Sequence, residues 1–238
     1  MVIRGAVGGP NQVYRALRKG SNMDVSQTKS GRYEGTILLA DISGYSGFLN
    51  DVQDAHRSDA FADGRIPPAY AMLSSLLEGI AAVIEPPFEV VKFEGDAVFA
   101  LAAAGTVDRG ESLLRLVADC YRDFVGKRSA ANKVQTCTCN VCAREDRLDL
   151  KFIAHYGEYF LQMMGRQVES VGPEVNLAHR LLKNSAVGVI GSSAYALYTS
   201  QLVAALALPL EGAVRLEESV DGRSIDVWVR PLTDRQLV

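Results

Sequence analysis

Two carboxylates carry the first chemical signal in this chain of 238 residues: Asp41 in L-L-A-D-I-S-G-Y and Asp96 in V-K-F-E-G-D-A-V-F-A. Each closes an apolar run. A strand that stops on a carboxylate offers oxygen at a sheet edge, where hard divalent cations take their ligands. Two such groups on neighbouring strands suit a pair of bridged metal ions and phosphoryl chemistry. Either Asp alone reads as an ordinary turn residue; the two together outweigh that reading. The turn Ser43, Gly44, Tyr45 and Ser46 opens a helix, and its backbone N–H groups can hold a triphosphate.

Other residue types add to the pair. Lys92 interrupts the apolar V-V-K-F, and a buried ammonium is costly without a task. An outer, solvated strand face accounts for it equally well. Asn176 and Arg180 lie four apart on a helix and share a face. An amide and a guanidinium suit a ribose and a phosphate, although the spacing alone favours a solvated polar stripe continued by Lys183. Cys137, Cys139 and Cys142 form C-x-C-x-x-C, a set fit for structural Zn²⁺ with Cys120 or His155 as fourth ligand. Free surface thiols or redox sensing are the competing readings. His155 and His179 read as scaffold histidines.

These residues need elements to position them. T-I-L-L-A (36–40) is a buried strand, after which Ser43 is expected to cap a helix carrying Tyr45, Phe48 and Leu49. Pro67 and Pro68 open a second helix. Residues 88–93 and 97–101 bracket Gly95-Asp96, a hairpin signal. A helix is predicted over 111–125, a polar cysteine-bearing insertion over 126–147, and a strand over 148–156. Gly172-Pro173 starts a helix to about Asn184, and Tyr195 to Leu208 reads as helical. The last two strands meet at Asp221-Gly222, a type I′ pair. This order describes a mixed sheet with packed helices in one α/β domain. Residues 1–30 lack periodicity and are expected to be a flexible leader, leaving 31–238 as the folded domain.

Bulk composition excludes other classes. With 48% hydrophobic and 22% charged residues, the chain can bury a sizeable core. A formal net charge of -3 implies no basic surface for nucleic acid. No apolar run is long enough to span a bilayer, since Leu202 to Leu208 stops at Pro209. The expected location is cytoplasmic, where clustered cysteines favour metal or redox roles over disulfides.

D-I-S-G-Y-S, K-F-E-G-D and V-G-P-E-V-N-L-A-H-R-L, in this order, resemble the catalytic segments of class III nucleotidyl cyclases. The resemblance covers roughly residues 34–231. With its C-x-C-x-x-C insertion the chain looks like a cyclase-like bacterial subgroup. The resemblance implies an α+β, ferredoxin-like or palm-type fold, the class III cyclase homology domain. It makes Asp41 and Asp96 ligands of two Mg²⁺ or Mn²⁺ ions, with the Ile42 carbonyl added. Lys92 and Glu169 become the base-reading pair, Asn176 the ribose contact and Arg180 the stabiliser of the pentacovalent phosphorus. The implied partners are a nucleoside triphosphate, ATP before CTP, and a second copy of the chain in a homodimer. The implied reaction forms a 3′,5′-cyclic monophosphate and pyrophosphate; a silent nucleotide-binding module with the same fold is the competing function.

The chain departs from the family at three places. Glu169 is one methylene longer than the usual aspartate, and Pro173-Glu174 replaces an acidic-apolar pair. No lysine follows Lys183, which leaves Arg215, Arg223 and Arg230 as candidates for the terminal phosphate.

Overall fold

A computed structural model describes residues 31–56, 68–134, 147–165 and 167–232. The expected leader 1–30 and the cluster Cys137, Cys139 and Cys142 lie outside these residues. The strands are β1 (Gly31–Ser43), β2 (Glu89–Glu94), β3 (Ala97–Ala103), β4 (Asp149–Met164), β5 (Gln167–Val171), β6 (Tyr195–Thr199), β7 (Val214–Val220) and β8 (Arg223–Pro231). The helices are α1 (Tyr45–Ala55), α2 (Pro68–Ile84), α3 (Gly110–Val134), α4 (Pro173–Arg180), α5 (Ala186–Ile190) and α6 (Ser200–Leu206). The strands form one mixed sheet in the order β2-β3-β1-β4-β6-β8-β7, with β5 pairing the far end of β4. Only β4 and β6 run parallel. This is the α+β arrangement expected from the sequence.

Alternation along β1 sorts the core into two layers. Leu38, Ala40 and Ile42 face a layer with Phe48, Leu73, Leu76, Leu113, Val117 and Leu202, contributed by α1, α2, α3 and α6. Ile37 and Leu39 face the opposite layer with Val175, Ala178 and Ala186 of α4 and α5. A strand covered on both faces reads as a continuous apolar run, which is why T-I-L-L-A shows no polar alternation. Asp41 shares the parity of Ile37 and Leu39 and so belongs to the face that carries α4.

Several expectations need correction. Asp41 does not end its strand; β1 continues to Ser43. Ser43 does not cap α1. Gly44 does, with φ 83° and no side-chain cap bond, while the Ser43 hydroxyl reaches the Ser193 carbonyl at 3.3 Å. The positive φ favours glycine, and a Cβ there would lie 2.6 Å from the Arg147 carbonyl oxygen. The helix predicted to stop at Val125 runs on to Val134, so the first residues of the expected insertion are helical. The helix after Gly172 ends at Arg180, four residues early. Tyr195 to Leu208 is not one helix but the strand β6 followed by α6.

Candidate functional site

The register of β1 explains the first cluster. Asp41 lies opposite Ala97 of β3 and opposite Lys151 of β4. Because Asp96 precedes Ala97 in the β2–β3 turn, the two acidic residues become neighbours, and the Ile42 N–H donates to the Asp96 carbonyl at 3.0 Å. The two strands thus converge as the hairpin signal required. Asp41 is nearly buried, and burial, reinforced by the Asp96 charge, pushes its carboxyl above the usual range despite the opposing pull of Lys151. The Lys151 ammonium sits 3.2 Å from Asp41 Oδ1 and 3.3 Å from the Leu182 carbonyl.

Sequence reasoning missed Lys151, although its signal was present. Lys151 interrupts an apolar strand between Leu150 and Phe152, just as Lys92 interrupts its own.

Asp41, Asp96 and the Ile42 carbonyl form a donor set of hard oxygens, the kind Mg²⁺ or Mn²⁺ takes. A half-withdrawn carboxylate with an acidic neighbour gains from a cation, so these residues fit the ions. Among the described residues no three His, Cys, Asp or Glu side chains converge to hold a metal. Two protein carboxylates suit an ion that takes its remaining oxygens from water and phosphate. Neither expected fourth ligand for zinc is at hand. The Cys120 thiol is fully buried and pushed up to about 12 by burial, and both ring nitrogens of His155 are engaged.

A second cluster gathers on β2, β5 and α4. Lys92 Nζ lies 3.2 Å from Glu169 Oε2 and 2.9 Å from Glu94 Oε1. Lys92 and Glu169 thus meet as a donor beside an acceptor. The carboxylates raise the Lys92 ammonium above its ordinary value against the effect of burial. The other oxygen of Glu94 meets His179 Nε2 at 2.8 Å, and His179 Nδ1–H donates to the Val175 carbonyl at 2.9 Å.

The third set lines an open groove of about 490 Å³ between α4 and the β7–β8 turn, bounded by Glu174, Asn176, Arg180, Asp221 and Arg223. Asn176 and Arg180 share its wall, as their spacing required. Arg180 pairs with Asp221. The three candidate arginines now separate. Arg215 is held by Asp226 and Arg230 by the carbonyls of Pro209 and Glu211, whereas Arg223 lines the groove beside Arg180. Neither Asp41 nor Asp96 lines this groove.

The architecture has solved counterparts. The guanylyl cyclase Cya2 superposes with a TM-score of 0.60 at 14% identity, covering 86% of this chain and 95% of that one. The adenylyl cyclase CyaB from P. aeruginosa gives 0.58 at 16% identity, covering 88% and 99%. The fold is that of a class III cyclase domain. A class III adenylyl cyclase-like ATP-binding protein from Pseudomonas aeruginosa also matches, with a TM-score of 0.50 at 20% identity over 77% of this chain and 37% of that one.

Sequence comparison adds one family and one curated relative. A family described as a protein of unknown function, DUF2652, matches residues 73–189. The uncharacterized protein Rv2561/Rv2562 of Mycobacterium tuberculosis is 34% identical over 116 residues, 47% of this chain and 51% of that protein. The match therefore spans about half of the relative's length. No helix among the described residues is long and apolar enough to cross a membrane.

Proposed function

We propose that this cyclase-like chain binds a nucleoside triphosphate, ATP foremost, and converts it to the 3′,5′-cyclic monophosphate at sites shared by two copies. The observation that carries this reading is the separation of two complementary sets. Asp41 on β1 and Asp96 in the β2–β3 turn are neighbours, while Asn176 and Arg180 line a groove that excludes them.

In this reading Lys92 donates to N1 of adenine and Glu169 accepts from the N6 amine; cytosine offers the same edge, so CTP is the second substrate candidate. Asn176 orients the ribose, and the turn Ser43, Gly44, Tyr45 and Ser46 holds phosphate through its N–H groups. Asp41, Asp96 and the Ile42 carbonyl would hold two Mg²⁺ or Mn²⁺ ions, which would supply activation of the 3′-hydroxyl and neutralisation of charge at the α-phosphorus. The 3′-hydroxyl releases its proton to water, its oxygen bonds to the α-phosphorus as the P–O bond of the α–β bridge breaks, and pyrophosphate leaves with the electron pair. The chain's own contribution is placement and charge: Arg180 faces the equatorial oxygens, and Lys151 and Arg223 are cations for the leaving phosphates.

A second reading is an ATP-binding module without turnover. Two ion pairs favour it: Lys151 already sits on Asp41, and Arg180 is held by Asp221. One experiment decides between them. The protein is incubated with each of the four nucleoside triphosphates and Mn²⁺, and products are identified by mass spectrometry. Cyclic AMP, or cyclic CMP, supports the cyclase; bound but unconverted ATP supports the silent module; no binding at all overturns both.

A further inference from the structure

The chain Lys92–Glu94–His179 has no part in the reading above beyond Lys92 itself. Glu94 takes Lys92 on one oxygen, at 2.9 Å, and His179 on the other, at 2.8 Å. His179 is in turn fixed on three sides. Its Nδ1–H meets the Val175 carbonyl on its own helix, its Nε2 meets Glu94, and its ring lies against Phe99 of β3 with centroids 5.1 Å apart. The remaining charged neighbours are Lys92 itself and, across that ammonium, Glu169 of β5. With a carbonyl at one nitrogen and a carboxylate at the other, both nitrogens carry protons and His179 is an imidazolium. The result is a row of alternating charge, His179⁺, Glu94⁻, Lys92⁺ and Glu169⁻, running from α4 across β2 to β5.

The row has a mechanical consequence. A lysine on a surface strand ordinarily spreads over many rotamers, and any ligand it contacts must freeze them. Here Glu94 holds the ammonium before a ligand arrives, and His179 holds Glu94 in the orientation that does so. His179 lies between Asn176 and Arg180 on α4. The same pair therefore ties the strand that presents Lys92 to the helix that presents the groove-lining amide and guanidinium.

We propose that Glu94 and His179 are positioning residues that aim the Lys92 ammonium at the base of a bound nucleotide, and so set how much the base contributes to affinity. This rests on the nucleotide reading given above. It requires that disturbing the pair weaken recognition of the base and spare that of the phosphates.

The test compares binding of ATP and of inorganic tripolyphosphate, with Mn²⁺, to the full chain and to Glu94→Gln, His179→Gln, Lys92→Ala and Glu94→Gln/Lys92→Ala. Circular dichroism identifies any variant that is not folded, and the two single substitutions in the pair check each other. The expected result is an ATP affinity lowered about tenfold in Glu94→Gln and His179→Gln, with tripolyphosphate unchanged. The double variant should bind ATP no worse than Lys92→Ala alone, because Glu94 acts only through Lys92. Equal losses for both ligands, unchanged ATP binding, or additive losses in the double variant each overturn the proposal. Wild-type protein that binds neither ligand overturns the nucleotide reading and this inference with it. Wild-type binding with an indifferent Glu94→Gln overturns the inference alone.

Discussion

At the scale of single residues, the Glu94–His179 pair makes a stability claim with a definite sign. Hydrogen bonding from His179, ahead of Lys92, lowers the Glu94 carboxyl from 4.5 to about 2 against the cost of burial. The bond to Glu94 raises His179 above the ordinary 6.5, also against burial. A raised histidine stabilises fully below its unfolded value of 6.5 and loses that contribution as pH rises through its folded value. A lowered carboxyl stabilises fully above its unfolded value of 4.5 and loses that contribution as pH falls through about 2. The two windows overlap between 4.5 and 6.5. Since both side chains are more than two-thirds buried, the pair contributes roughly 1–2 kcal/mol there after screening. Thermal melts of wild type and Glu94→Gln should therefore differ most between pH 4.5 and 6.5, and the difference should shrink, without vanishing, as pH rises through the folded value of His179, because the Lys92 contact remains. A gap that stays constant as pH rises from 6 would mean the imidazole is neutral.

At the scale of elements, Thr199 joins three of them. It caps α6 by accepting from the Leu202 N–H at 3.4 Å, and its hydroxyl donates to His155 Nδ1 at 2.8 Å. His155 is wholly buried, which lowers its proton affinity despite the pull of Glu174. The neutral ring then donates from Nε2 to Glu174 Oε2 at 2.6 Å, in the first turn of α4. Thr199→Val removes a cap worth about 1 kcal/mol and leaves a buried ring nitrogen without its donor, about 1–3 kcal/mol more. Urea unfolding should show a loss of about 2–4 kcal/mol for Thr199→Val and much less for Thr199→Ser. The hairpins at Gly95-Asp96 and Asp221-Gly222 were legible because their backbones demand it: Asp221 and Gly222 sit at φ 52° and 74°, as a type I′ turn requires. Strand β6 was not legible. A-L-Y lies at the centre of the sheet between β4 and β8, buried on both faces, and such a run lacks the period that separates strand from helix. Strand β5 escaped for a different reason: Q-V-E-S-V is short and gains its register only from β4.

At the scale of the molecule, the candidate residues were legible as types and partly as pairs, while their division between two copies came only as an implication of the family resemblance and not from spacing. Spacing shows that Asn176 and Arg180 share a face; only the sheet order shows that their groove excludes Asp41 and Asp96. In the proposed reading a triphosphate that needs both sets lies between two copies of the chain, each lending one set. With an isologous contact there are two equivalent sites per dimer. Asp41→Ala and Arg180→Ala chains should each be inactive alone. In their heterodimer one site takes both lesions and the other takes neither. Random exchange in an equal mixture makes about half the dimers mixed, so turnover per chain should recover to about a quarter of wild type. Cyclic nucleotide production in the mixture, with dimers counted by light scattering, measures this directly. Recovery requires that the two sets serve the same ligand across the contact. Inactive mixtures containing mixed dimers would instead mean that each copy works, or fails to work, on its own.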